Sequence, residues 1–201
     1  MNNGNRAVAT VGAVLLSGVM WSEPLAGNAV EVNADQIGCS VLTTKSHLVL
    51  GDYPTATVQI RNNSSHSTIL VGSLDGSSRL GRYPHAYFEV KGPEGGVHTM
   101  GLPTCGLLNP LRAEDFVVLQ PGASFNPHES GAGSGFVPDT SLGRVTLSEP
   151  GEYTLVFHYS TDEVDPSRWQ GSTSPIHAEI VEKLRRVPRV TISCSTMLTV
   201  E

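Results

Sequence analysis

Residues 152–160 read EYTLVFHYS, and this stretch limits the fold more than any other in the chain. Tyr153, Leu155, Phe157 and Tyr159 share one parity, and Thr154, Val156 and His158 share the other. An apolar period of two is the signature of a β-strand, because successive side chains leave a pleated backbone on opposite faces. Both parities carry apolar groups, which predicts a strand in the middle of a sheet.

Other segments follow the same rule. In 55–62 (TATVQIRN), Ala56, Val58 and Ile60 alternate with Thr57, Gln59 and Arg61, as in a half-buried antiparallel strand. In 85–91 (HAYFEVK), Ala86, Phe88 and Val90 point inward. Strands are also expected at 39–43, 47–50, 67–71, 97–100, 115–119, 144–148 and 189–200. Turn chemistry separates them: Gly51-Asp52, Asn62–Ser65, Gly92–Gly96, Gln120–Ala123 and Glu149–Glu152. Glycine (21) and proline (13) are abundant, and charged residues are only 16%, against roughly 25% in an average chain. That balance argues against a coiled coil, a helical array or a charged disordered tail.

One segment departs from period two. In 176–187, Ile176, Ile180, Leu184 and Val187 recur at helical spacing between Pro175 and Pro188, which predicts a short amphipathic helix. The expected fold is therefore mainly β: an immunoglobulin-like antiparallel β-sandwich with long loops and one short helix near 176–187. The loops fall near 101–114, 124–143 and 161–188.

The N-terminus reads as a secretory signal. Arg6 supplies a positive n-region, and residues 7–22 are uncharged, shorter than the ~20 apolar residues of a spanning helix. Gly27 and Ala29 occupy the −3 and −1 positions of a cleavage site. The expected organisation is a signal peptide over 1–29 and a single sandwich over 30–201, located in the periplasm or secreted. The alternative is an uncleaved anchor. The net charge is −6, and only Arg6 and Glu23 are charged before residue 30, so 30–201 also carries −6. An acidic chain without a strong basic cluster argues against nucleic acid as a partner.

Export makes a disulfide plausible for the three cysteines, Cys39, Cys105 and Cys194. Three pairings exist. Strand parity favours Cys39–Cys194, since Cys39 shares parity with Val41 and Cys194 with Val190 and Ile192. Buried unpaired thiols are the alternative. Wide spacing rules out a zinc site.

Catalytic signatures are missing. The seven histidines include no H-E-x-x-H pair. Gly133-Ser-Gly135 is not a nucleophile elbow, and 131–135 lacks the lysine of a phosphate loop. Asp162, Glu163 and Asp165 crowd one loop without EF-hand spacing, and a solvated loop is favoured over a calcium site. Trp169 either covers an open end of the core or faces a partner; covering is favoured. Asn62 and Asn63 each begin a glycosylation acceptor. No cofactor and no metal ligand set is assigned. Candidate binding loops are represented by Leu102, Cys105, Leu108 and Trp169. His158, Cys105 and the acidic loop are the places to look for an unrecognised enzyme site.

Leu119-Gln-Pro-Gly-Ala-Ser124 and Gly151-Glu-Tyr153 resemble a known pattern, with Asp52–Asn62 as its earlier strand. The pattern is similar to the β-sandwich domain that accompanies deuterolysin-type secreted metallopeptidases and to related bacterial exported domains. Ala123 replaces the usual acidic turn residue, and the catalytic part is absent. The resemblance implies a fold and a compartment. The expected function is an exported, non-enzymatic binding protein whose partner is another exported protein or the cell envelope. The resemblance also raises an inhibitor or folding helper of a secreted peptidase, acting through Leu102–Leu111.

Overall fold

The computed structural model of the 201-residue chain describes residues 36–95, 97–98, 109–129, 142, 145–171 and 175–201. The expected signal segment therefore lies outside the described residues. The fold is mainly β. Its strands are β1 (Ile37–Thr43), β2 (His47–Leu48), β3 (Ala56–Asn62), β4 (Thr68–Val71), β5 (His85–Lys91), β6 (Val97–His98), β7 (Phe116–Leu119), β8 (Ser124–Phe125), β9 (Gly151–Ser160) and β10 (Thr191–Val200). Helix α1 (Ala178–Arg185) lies between β9 and β10.

One sheet has the order β1-β3-β8, a second β2-β10-β9-β5-β6, and a pair joins β4 to β7. The strand expected to be central, β9, lies in the middle of the five-stranded sheet. It pairs antiparallel with β5 from His85↔Ser160 to Lys91↔Thr154, and with β10 from Thr191↔Ser160 to Val200↔Gly151.

Alternation decides what is buried. Tyr153, Leu155, Phe157 and Tyr159 of β9 pack with Ala86, Phe88 and Val90 of β5 and with Val58 and Ile60 of β3 in one core. The Cys39–Cys194 disulfide links β1 of the first sheet to β10 of the second, with Cα atoms 5.8 Å apart. Both half-buried cysteines pack against that core. Two tyrosines tie strands to connections. The Tyr159 hydroxyl donates to Val71 O (2.7 Å), joining β9 to β4. The Tyr153 hydroxyl donates to Glu149 O (3.0 Å), closing the turn that leads into β9. That turn needs glycine: Gly151 has φ 138°, and a Cβ there would meet Pro93 Cγ at 2.6 Å.

A second, smaller core lies beside the first. Val71, Leu74, Leu111, Trp169, Ile180, Leu184 and Val187 form it. Strand β4 separates the two, with Leu70 in the large core and Ile69 and Val71 in the small one. Helix α1 is shorter than 176–187, starting after His177 and ending at Arg186. Ile176 and Val187 flank it yet still pack on the small core. Glu179 in its first turn and Lys183 and Arg185 in its last suit the helix dipole.

Three local expectations change. Residues 145–148 form no ladder; Val145 and Leu147 are buried as alternation requires, but Leu147 O takes a single bond from Gly51 N (2.9 Å). Strand β8 falls in a stretch read as loop. The run 47–50 supplies only two strand residues, which pair parallel with Thr199 and Val200, and Val49 and Leu50 are exposed.

Candidate functional site

The outer face of the five-stranded sheet follows from its register. Tyr87 lies opposite His158, Glu89 opposite Val156, and Lys91 opposite Thr154. On the other side of β9, His158 lies opposite Ser193, Val156 opposite Ser195, and Thr154 opposite Met197. A grid of side chains is thereby fixed on three paired strands, so its geometry is set by ladder hydrogen bonds rather than by loops.

Glu89 is the hub of this face. Its carboxylate lies 3.4 Å from Lys91 Nζ and 3.6 Å from His158 Nε2. The His158 ring stacks on Tyr87 with centroids 4.9 Å apart. Partial burial lowers the His158 pKa; Glu89 opposes that shift, and Lys91 and Arg79 reinforce it. The imidazole is therefore neutral at pH 7. Burial also raises the Tyr87 pKa, so its phenol stays protonated. The face combines an aromatic pair, a bridged carboxylate and, at the β10 side, a Met197 that is 67% exposed.

Ser193 beside His158 and Glu89 invites comparison with a hydrolase triad. The imidazole nitrogen that a nucleophile would use, Nε2, is turned toward the carboxylate. A triad also needs N–H donors free to hold an oxyanion, whereas the backbone of the central strand β9 beneath His158 is engaged in ladders on both sides.

The residues singled out from sequence have different fates. Cys39 and Cys194 are joined. Leu102, Cys105 and Leu108 lie outside the described residues. Trp169 is wholly buried in the small core, and its indole N–H donates to Glu163 O (3.3 Å). It therefore covers core in the described structure, the placement favoured from its sequence context. In the acidic loop, Asp165 accepts from Ser167 N (2.9 Å) and Ser167 Oγ (2.7 Å), and Glu163 accepts from Asp165 N (2.9 Å). These carboxylates hold their own turn, and among the described residues no three His, Cys, Asp or Glu side chains converge as a metal site would require. Asn62 is closed to glycosylation in the folded chain. It is fully buried, and its Nδ2 donates to His66 O (2.7 Å) and Leu119 O (3.0 Å).

Two buried charges escaped the sequence reading. Arg82 donates from Nη1 to Asn109 O, and Asp115 accepts from Arg112 N (2.8 Å). Burial brings the Arg82 pKa down to about 10, against the pull of Asp115 and Asp75. Burial likewise raises that of Asp115, against its Arg112 hydrogen bond. No motif joins residues so far apart in sequence, so only the fold reveals them. They brace the small core and the root of the connection ending at Asn109.

Among the described residues, no helix is long and apolar enough to cross a membrane. Comparisons with protein-family models, with curated proteins and with solved structures found no match to this chain.

Proposed function

We propose that the chain is an exported, non-enzymatic immunoglobulin-like β-sandwich that binds another exported protein or the cell envelope. The observation that carries the binding reading is the outer sheet face. Tyr87, His158, Glu89 and Lys91 cluster on β5 and β9, and Met197 lies on the same face of β10, across Thr154 from Lys91. Aromatic residues and methionine are favoured at contact surfaces, and a site on strands is pre-organised.

Three features support the fold and compartment in this reading. The sheet order β2-β10-β9-β5-β6, with β2 parallel to β10, supports an immunoglobulin-like reading of this sheet. The bond from the Tyr153 hydroxyl to Glu149 O has the form of a tyrosine corner at the start of the penultimate strand. The disulfide belongs to an oxidising compartment. It differs from the antibody pattern, where the bridge crosses the sandwich centre. Here that centre holds Val58, Ile60, Leu155 and Phe157, and the bridge joins the first and last strands.

The test is capture. The disulfide-bonded protein, immobilised, is exposed to the extracytoplasmic fraction of its source, and bound proteins are identified by mass. The reading predicts one stoichiometric partner, lost when Tyr87→Ala and Met197→Ala are combined. A partner retained by that variant would move the site elsewhere. A secreted peptidase as partner, with its activity slowed, would convert the reading to an inhibitor.

A further inference from the structure

The last strand has an open edge. On one side β10 pairs with β9 over its whole length. On the other, β2 covers only Thr199 and Val200. Over residues 191–198, among the described residues, no backbone group of that edge bonds to another strand. Strand β1 is held beside it by the disulfide but pairs with β3 in the other sheet. The backbone groups of the edge can be satisfied by water or by a further strand.

Natural edge strands are guarded against that outcome by charge, proline, a bulge or short length. Strand β10 reads TISCSTMLTV. It has no charge, no proline and no glycine, it pairs with β9 without a bulge, and it is ten residues long. Exposed charges lie at its ends and have opposite sign. Arg189 precedes it. Glu201 follows it, 78% exposed, with Glu152 opposite Thr199 on the neighbouring strand. At the first end Asp162 and Glu163 also face Arg189, but Glu163 is within 3.7 Å of Arg168. At the second, His47 lies 4.0 Å from Glu201.

We propose that this edge pairs antiparallel with the β10 of a second copy of the chain, joining two five-stranded sheets into one. Charge selects both the occupant and the direction. An antiparallel copy puts Arg189 of each chain at the level of the partner's Thr199, two positions short of the partner's Glu201 and just past the paired stretch 191–197, twice by symmetry, whereas a parallel copy would put like charges together. Both core faces stay on one side of the joined sheet when the pairing is centred on Cys194. Ser193 then faces the partner's Ser195, and Thr191 the partner's Met197. The centre avoids the end that β2 already covers. Such a contact is isologous and closes at two chains.

Sedimentation velocity of the disulfide-bonded protein through the micromolar range tests this proposal. A concentration-dependent dimer is expected. Glu201→Arg alone and Arg189→Glu alone should each weaken it roughly tenfold, and the two together should restore it. Arg189 also donates to Thr161 O (3.3 Å), so thermal unfolding of each variant checks that the fold survives. Ser195→Lys, on an exposed position, should abolish the dimer by placing two ammonium groups at the seam. A protein that stays monomeric throughout overturns the proposal, as does a dimer that tolerates Ser195→Lys. A monomer that instead takes up a foreign extended peptide along β10 also overturns it and assigns the edge to another protein.

Discussion

The large core and the small core are built by different physics. The large core is made by strands, so each inward residue is followed by an outward one, and each buried side chain meets cross-strand neighbours two positions apart. Its buried set, including Val58, Ile60, Phe88, Leu155 and Phe157, is almost wholly apolar. The small core is made from one side of the short β4–β7 pair, a short helix, turns and loop segments. It centres on Trp169 and has charges buried nearby, Arg82 and Asp115. The difference shows why one region serves as a rigid platform. Long ladders and a disulfide fix the first, whereas one four-residue ladder, a short helix and a smaller apolar cluster around one indole hold the second.

Substitutions should separate the two. Phe157→Ala should lower stability by about 3–5 kcal/mol and shift the whole urea transition, since Phe157 is fully buried on the central strand. Cys39→Ala with Cys194→Ala should cost about 2–5 kcal/mol, because the bridge closes a separation of 155 residues. Both losses are read as a fall in the midpoint of one cooperative transition. Trp169→Ala should also cost about 3 kcal/mol, but hydrogen exchange should localise it. Amides of α1 and residues 161–171 would lose protection first, and those of β9 and β10 would keep theirs. Equal loss in both regions would mean that the cores unfold as one.

Smaller effects sharpen the contrast. Tyr153→Phe removes the hydroxyl that closes the turn onto Glu149 and should cost about 1–2 kcal/mol with the core volume unchanged. The outer face should respond to pH. His158 has a folded pKa below 6.5, chiefly through burial, and His85 is shifted the same way. The unfolded chain therefore takes up protons first as pH falls through 6.5. Stability is full above that value and declines until the folded pKa values are passed. His158→Gln should flatten part of that decline, measured as urea midpoints at neutral and mildly acid pH. Asp115 acts oppositely at lower pH. Its raised pKa means that protonation relieves a penalty as pH falls toward 3.8.

The same contrast explains what could be read from sequence. Strand β9, strand β5 and most of β3 were legible because alternation is local and survives without knowledge of partners. The Cys39–Cys194 bridge was favoured by parity alone. The helix was legible from its spacing, though not its ends, since Ile176 and Val187 obey the same apolar pattern outside it. What was missed depends on distant partners. Residues 145–148 alternate, but a ladder needs a neighbour. Phe125 of β8 pairs only because Ile60 passes beside it. The proximity of Glu89 to His158 is a diagonal relation across two strands, visible only once their register is fixed. Arg82 and Asp115 carry no local signal at all.

The outer face of the five-stranded sheet is the proposed binding surface. Calorimetric titration of the captured partner into the wild-type protein and into the Tyr87→Ala, Met197→Ala double variant tests that claim most directly. At least a tenfold loss of affinity is expected, about 1.4 kcal/mol, with thermal stability nearly unchanged. Equal affinity for the two proteins would contradict it.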